Sequence, residues 1–396
     1  MKIRTVDQLD LAGKKTLIRV DFNVPIDKAS GNVVEDTRIR AAVPTIRTAM
    51  DKGAKTILVS HLGRPKGGPS PDKSLAPVAP ILSKYLGKPV TFVNDCVGET
   101  VERAVAAMKP GDVLLLENVR FYPEEEKNSE EFGKKLAAFC DVYVNDAFAT
   151  AHRGHSSNVA ILKFVKERAA GLLMKDEITY FEKALVSPAR PLAAVFGGAK
   201  ISGKIDAINN VLGKVDKILI GGAMANTFFA AQGFGVGKSL YEAEMIDTAK
   251  QVLAKAEQQK AGFYLPIDVV VADQLESPSI VKSVSVKEIP EDMMALDIGP
   301  ETCRLFKEAL NDAKTIVWNG PMGVFESPQF GGGTLAVMQA LADSSATTIV
   351  GGGDTDTALN KAGLFSKMSY VSTGGGAFLE LLEGKRLPGL AALEEA

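Results

Sequence analysis

The sequence predicts an α/β protein made of two halves, each a parallel sheet flanked by helices, with a hinge helix joining them. Three observations predict it. Short apolar runs alternate with helical stretches along the chain, and the runs are continuous rather than alternating, as in strands covered on both faces. The alternation starts again past the middle of the chain, an architectural repeat with no short sequence period. Finally, 396 residues exceed one ordinary hydrophobic core, so at least two domains are expected.

In chain order, the strands expected in the first half are residues 16–20, 56–59, 90–93, 113–116 and 142–144, with helical patterns such as 38–52 and 132–139 between them. Residues 172–186 have the spacing of an amphipathic helix. The segment Ser187-Pro188-Ala189-Arg190-Pro191 then stops it, because proline cannot continue a helix. This gives a first domain over 1–171, a hinge helix and linker over 172–190, and a second domain over 191–382. The strands expected there are 192–196, 217–220, 269–271, 315–317, 347–350 and 369–371. The tail, 383–396, has no strand of its own.

Composition narrows the function class. Apolar residues make up 46% and charged ones 24%, which fits a soluble globular protein. A net charge of -2 gives no bulk case for nucleic acid or an anionic membrane as partner. Cys96, Cys140 and Cys303 are far apart and not in C-x-x-C spacing, so neither a disulfide framework nor a zinc site is expected. MKIRTVDQLD lacks the apolar core of a signal peptide, and no apolar run approaches the ~20 residues that span a bilayer; a cytoplasmic location is expected.

Ligands of open parallel sheets bind beyond the carboxyl ends of strands. In the first half those ends carry Asp21 and Asn23, then His61 and Arg64, then Arg120, then Asn145-Asp146 running on to His152, Arg153 and His155, with Arg38 just behind the first strand. Arginine forks hold phosphate and carboxylate bidentately, so this is a basic floor suited to a small anion. In the second half the ends carry Gly197-Gly198-Ala199-Lys200, Gly221-Gly222 and Asn319-Gly320-Pro321. Two glycine triplets complete the set, Gly351-Gly352-Gly353 before Asp354-Thr355 and Gly374-Gly375-Gly376 after Thr373. A strand entering a helix through glycines leaves unpaired N–H groups and a positive dipole end, an anion cradle. Two such cradles close together suit a polyphosphate and a group transferred from it.

Other signals weigh less. Gly198 to Ile205 nearly matches the P-loop, but Ile205 stands where the magnesium-binding hydroxyl belongs, and QGFGVGKS at 232–239 fails at its first glycine. A NAD-dependent oxidoreductase would want G-x-G-x-x-G after the first strand, where Asp21-Phe22-Asn23 stands. Glu124-Glu125-Glu126 reads as a solvated loop, and Trp318 as a packing residue near the sheet edge.

The segments VDFNVP (20–25), SHLGRP (60–65), LLLENVRFYPEEEKN (114–128), NDAFATAHRGHSS (145–157), GGAKISGKI (197–205), GGAMANTF (221–228), WNGPMGVFE (318–326), GGGDT (351–355) and STGGGAFLELLEGK (372–385) together resemble phosphoglycerate kinase nearly end to end and in family order. The resemblance implies two Rossmann-like domains, with the segment at about 383–396 packing back on the first. It implies that Asp21, Asn23, Arg38, His61, Arg64, Arg120 and Arg153 bind 3-phosphoglycerate. Lys200, Lys204, Asn319, Glu326, Gly351, Gly352, Gly353, Asp354 and Thr355 would line the ATP site, with Glu326 at the ribose and Asp354 at the nucleotide's Mg2+. The implied activity is reversible phosphoryl transfer between 1,3-bisphosphoglycerate and ADP, giving 3-phosphoglycerate and ATP, in glycolysis or gluconeogenesis, by a monomer. An acceptor carboxylate with a pKa of ~4 needs no general base at neutral pH. Catalysis then reduces to positioning and charge neutralisation, with Arg38, Lys200 and the backbone N–H groups at Gly352 and Gly375 on the moving group. Two departures are small: Gly154, where the family often has alanine, and Asp356, where it more often has a small residue.

Overall fold

The computed structural model describes residues 3–65 and 68–394. The chain divides into two compact units, Met1–Thr179 with Arg386–Ala396, and Tyr180–Lys385. The last two residues of the expected tail lie outside the described residues.

The first unit is built on a six-stranded parallel sheet of β1 (Lys15–Arg19), β2 (Lys55–Val59), β3 (Val90–Val93), β4 (Val113–Leu116), β5 (Val142–Asn145) and β6 (Glu167–Ala170), in the order β3-β4-β2-β1-β5-β6. The interior strands are buried on both faces, which is why they read as unbroken apolar runs. Their core includes Ile18, Leu58, Leu115 and Val144, packed with Ile39 and Ile46 of the helix Thr37–Asp51.

The second unit repeats the plan with β7 (Leu192–Phe196), β8 (Lys217–Ile220) and β9 (Gly262–Tyr264), and later β13 (Thr315–Asn319), β14 (Thr347–Gly351) and β15 (Tyr370–Ser372). The strand order is β15-β14-β13-β7-β8-β9, all parallel. One expectation fails here. Residues 269–271 belong to β10 (Asp268–Ala272), which pairs antiparallel with β11 (Val281–Ser285) and β12 (Met294–Ile298) in a separate three-stranded sheet. An apolar run reports burial, not which sheet takes the strand.

The helix expected over 172–186 is an α-helix at Leu172–Phe181 that continues as one wider π turn at Glu182–Val186. Its start is fixed by Asp146 at the end of β5, whose Oδ1 accepts the Met174 amide at 3.2 Å. A β-carbon on Gly171 would lie 2.0 Å from that oxygen, so only glycine fits the entry. The C-terminal helix Pro388–Glu394 packs within the first unit: Gly389 N–H donates to the Ala151 carbonyl at 2.8 Å, and Arg168 Nη1 to the Ala392 carbonyl at 3.0 Å.

Candidate active site

In the first unit the residues beyond β1, β2, β4 and β5 form a bonded cationic floor. Arg38 stands in the first turn of the helix Thr37–Asp51, where the dipole disfavours a cation. It is held by Asp21, with Nη1 at 3.0 Å from Oδ2, and by the Asn23 carbonyl at 3.1 Å. Asp21 Oδ1 also accepts the Asn23 amide at 3.0 Å, and Asn23 Oδ1 accepts the Gly63 amide at 2.8 Å, so the turns after β1 and β2 lock together. Arg120 Nη1 donates to the Gly63 carbonyl at 2.8 Å.

Arg120 is buried, and its Nε and Nη2 have no hydrogen-bond partner among the described residues, although Glu126 Oε1 makes an ion-pair contact with Nε at 3.3 Å. Burial pulls its pKa down to about 10, against the pull of Glu126. Buried guanidinium donors without partners are costly unless an anion completes them. His61 is buried and its pKa lies well below the ordinary value, first through burial and then through the charges of Arg19, Arg120, Arg153 and Arg38. Burial and the same arginines, apart from Arg38, bring His155 down to about 3. Both rings are therefore neutral at pH 7. Arg153 Nε donates to His152 Nε2 at 3.2 Å. Arg64 is exposed on the loop that Gly63 anchors.

In the second unit three strand ends are joined backbone to backbone. Gly197 N–H donates to the Asn319 carbonyl, Gly198 N–H to Pro321 and Gly222 N–H to Met322, at 3.0, 2.8 and 2.9 Å. Beside them opens a cavity of about 630 Å³ lined by Gly198, Gly222, Leu296, Pro321, Glu326 and Asp354 among others, the size of a small-molecule site. Lys204 Nζ donates to the carbonyls of Gly197 at 2.6 Å and Asn319 at 2.8 Å, which uses two of its three donors. Burial pulls its pKa down to about 8, against the charge of Asp354. Lys200 is exposed, close enough to Glu242 for its charge to act there.

The helices Gly353–Ala362 and Gly375–Leu382 both begin at the glycine triplets. They begin side by side: a β-carbon on Gly375 would stand 4.0 Å from the Gly353 amide nitrogen. Gly352 has φ +116°, a conformation that requires glycine, and Gly351 is buried against Phe378. Asn319 Nδ2 donates to the Gly351 carbonyl at 2.8 Å. Thr355 is fully buried, and its hydroxyl accepts the Gly320 amide at 2.9 Å, so its first task is to bind the GGGDT turn to the end of β13. Asp354 and Asp356 share the first turn of that helix, with Asp354 exposed at the cavity. Gly154 is not demanded by packing, since the nearest atom to an added β-carbon is 3.9 Å away.

Sequence reasoning missed Arg19, which is fully buried and bonded to His61, and it misplaced Glu125. Glu125 is fully buried rather than solvated, and it accepts hydrogen bonds from the Ser157 amide and hydroxyl at 2.9 and 2.6 Å. A charge inside the apolar run KTLIRV was the available signal for Arg19. Trp318 packs as expected, but on an interior strand, donating to the Gly320 carbonyl at 2.8 Å.

The family model for phosphoglycerate kinase matches residues 6–385. The chain is 57% identical to a phosphoglycerate kinase of Geobacter metallireducens over 100% of its length and 99% of that protein's. It is 52% identical to one of Chloroherpeton thalassium over 100% of both. Among solved structures, that of phosphoglycerate kinase from Coxiella burnetii superposes with a TM-score of 0.92 at 43% identity, covering 99% of each chain. That from Pyrococcus horikoshii gives 0.84 at 33% identity, covering 99% of this chain and 98% of the other. With an arginine floor in one unit and a glycine-bounded cavity in the other, the chain belongs to the phosphoglycerate kinase family and is a kinase of glycolysis.

Proposed function

We propose that this chain divides the family's reaction between its units. The arginine floor takes 3-phosphoglycerate or 1,3-bisphosphoglycerate, and the glycine-bounded cavity takes ATP or ADP. The observation that carries this is Arg120, buried with its Nε and Nη2 lacking a hydrogen-bond partner among the described residues, beside a histidine that burial and then the neighbouring guanidiniums keep neutral. Asp21, Asn23, Arg38, His61, Arg64, Arg120 and Arg153 hold the three-carbon acid, with neutral His61 donating a hydrogen bond without adding charge. Lys200, Lys204, Asn319, Glu326 and the residues from Gly351 to Thr355 hold the nucleotide.

The acceptor carboxylate is already ionised, so the residues have no proton to remove. Their work is to align the attacking oxygen with the phosphorus and to screen the moving group in line. Arg38 and Lys200 meet its oxygens, and the N–H groups of Gly352 and Gly375 add fixed dipoles that need no reorganisation.

The residues present fit a magnesium ion carried by the nucleotide. No cluster of three or more His, Cys, Asp or Glu side chains suited to a metal occurs among the described residues, while Asp354 offers an exposed carboxylate at a cavity that would hold the phosphates. Mg2+ commonly binds through one or two carboxylates with substrate phosphates and water. Such an ion neutralises charge on the phosphate oxygens.

The domain assignments 1–171, 172–190 and 191–382 belong to the same reading, with the helix 172–186 and the segment to residue 190 as hinge, because a direct transfer requires both ligands to meet with water excluded. A cytoplasmic location and a monomeric state belong to the same reading. No helix among the described residues is long and apolar enough to cross a membrane. A coupled assay with Mg-ATP and 3-phosphoglycerate tests the whole: turnover that needs both is expected, and none would overturn it.

A further inference from the structure

We infer that Arg19 is a positioning residue for His61, fixing its imidazole as the Nε2–H tautomer and so setting which hydrogen the ring presents to the three-carbon acid. Arg19 ends β1 and is fully buried. Its Nε donates to Ser157 Oγ at 2.9 Å, its Nη1 to the Val20 carbonyl, and its Nη2 stands 3.2 Å from His61 Nδ1. A guanidinium has only donors, so His61 Nδ1 is the acceptor in that contact and the ring hydrogen sits on Nε2. Asp21 does not displace it, since its Oδ1 is 3.9 Å from Nδ1.

The tether continues behind Arg19. Ser157 Oγ gives its hydrogen to Glu125 Oε1 at 2.6 Å, and Glu125 Oε2 accepts the Ser157 amide at 2.9 Å. Glu125, Ser157 and Arg19 are all fully buried, so turning the guanidinium away would leave several buried polar groups unpaired at once. Burial and the surrounding guanidiniums keep the ring from taking a second proton, so the tautomer is the whole of its state at neutral pH. None of these three residues is among those assigned to the acid in the reading above. The consequence for binding rests on that reading; the hold on the ring does not.

The test is the ring 15N spectrum of the full-length protein, simple with three histidines, His61 being assigned by loss of its signals in His61→Gln. The wild type is expected to show an acceptor-type Nδ1 and a protonated Nε2 on His61; a protonated Nδ1 overturns the inference without any variant. In the double variant Arg19→Met/Glu125→Gln, which removes both buried charges together, the tautomers should mix. The KM for 3-phosphoglycerate should then rise about tenfold, the size of one hydrogen bond, with the KM for ATP and the far-UV circular dichroism unchanged. A variant ring still locked as Nε2–H overturns the inference. An unchanged acid KM in the double variant, alongside a raised one in His61→Gln, overturns its consequence for binding. If His61→Gln itself leaves that KM unchanged, the assignment of His61 to the substrate fails, while the spectrum still decides whether Arg19 sets the ring.

Discussion

Arg38 Nη1 lies 3.0 Å from Asp21 Oδ2, and the arginine side chain is 40% exposed. An ion pair this open contributes about 0–1 kcal/mol to stability, too little to explain a cation placed against a helix dipole. Arg38→Ala is therefore expected to lower kcat by orders of magnitude while shifting the midpoint of urea unfolding only slightly. Near-normal turnover would remove Arg38 from the moving phosphoryl group.

Gly353 separates binding from folding. An added β-carbon there meets nothing within 4 Å, and the residue opens the helix Gly353–Ala362. Alanine favours a helix over glycine by up to about 1 kcal/mol, so Gly353→Ala should leave the melting temperature unchanged or raised. The same carbon would fill the space a phosphate needs at the helix end, and the KM for ATP should rise at least about tenfold. An unchanged KM would take Gly353 out of the cradle.

Much of this was legible because a few residues carry strong local physics. The interior strands β1, β2, β4, β7 and β8 are buried on nearly every residue, so continuous apolar runs located them within a residue or two. Strands β6 (ERAA) and β9 (GFY) were not legible, because each is an edge strand with little apolar sequence to mark it. Site residue types at strand ends were legible for the same topological reason. Arg19 was not, since within a run it counts as one more strand residue until the fold brings His61 and Ser157 to it. Thr355 reads as a phosphate ligand, yet its fixed bond is to Gly320, a contact between residues 35 positions apart that no local pattern encodes.

Two glycines should answer alanine in opposite ways. On Gly197 a β-carbon would lie 2.1 Å from the Pro321 carbonyl oxygen, inside the backbone joint beside the glycine-bounded cavity. Backbone cannot yield as a side-chain tip can, so Gly197→Ala should lose about 1–3 kcal/mol of stability and most nucleotide binding. On Gly154 the nearest atom would be 3.9 Å away, so Gly154→Ala should stay within about 0.5 kcal/mol and keep full activity. Urea unfolding and the ATP KM of both variants check this; equal losses would mean that the close approach at Gly197 is not what the site depends on.

Lys204 ties the proposed nucleotide site to pH. In the folded chain burial holds its pKa at about 8, whereas its ordinary value is 10.5. Between those values the unfolded chain keeps a proton that the folded chain has released, so this residue makes stability rise with pH across that window and adds no slope below it. Unfolding by urea from about pH 7.5 to 10 should therefore show a rise in the wild type that Lys204→Met lacks. Nucleotide phosphates favour the charged ammonium, whose third hydrogen remains after the bonds to Gly197 and Asn319. Binding ATP at about pH 8.5 should then draw a proton from solution onto Lys204, seen in calorimetry as a heat that changes with the buffer's ionisation enthalpy. The same proton uptake in Lys204→Met would place the titrating group elsewhere and leave Lys204 as a clamp on two carbonyls alone.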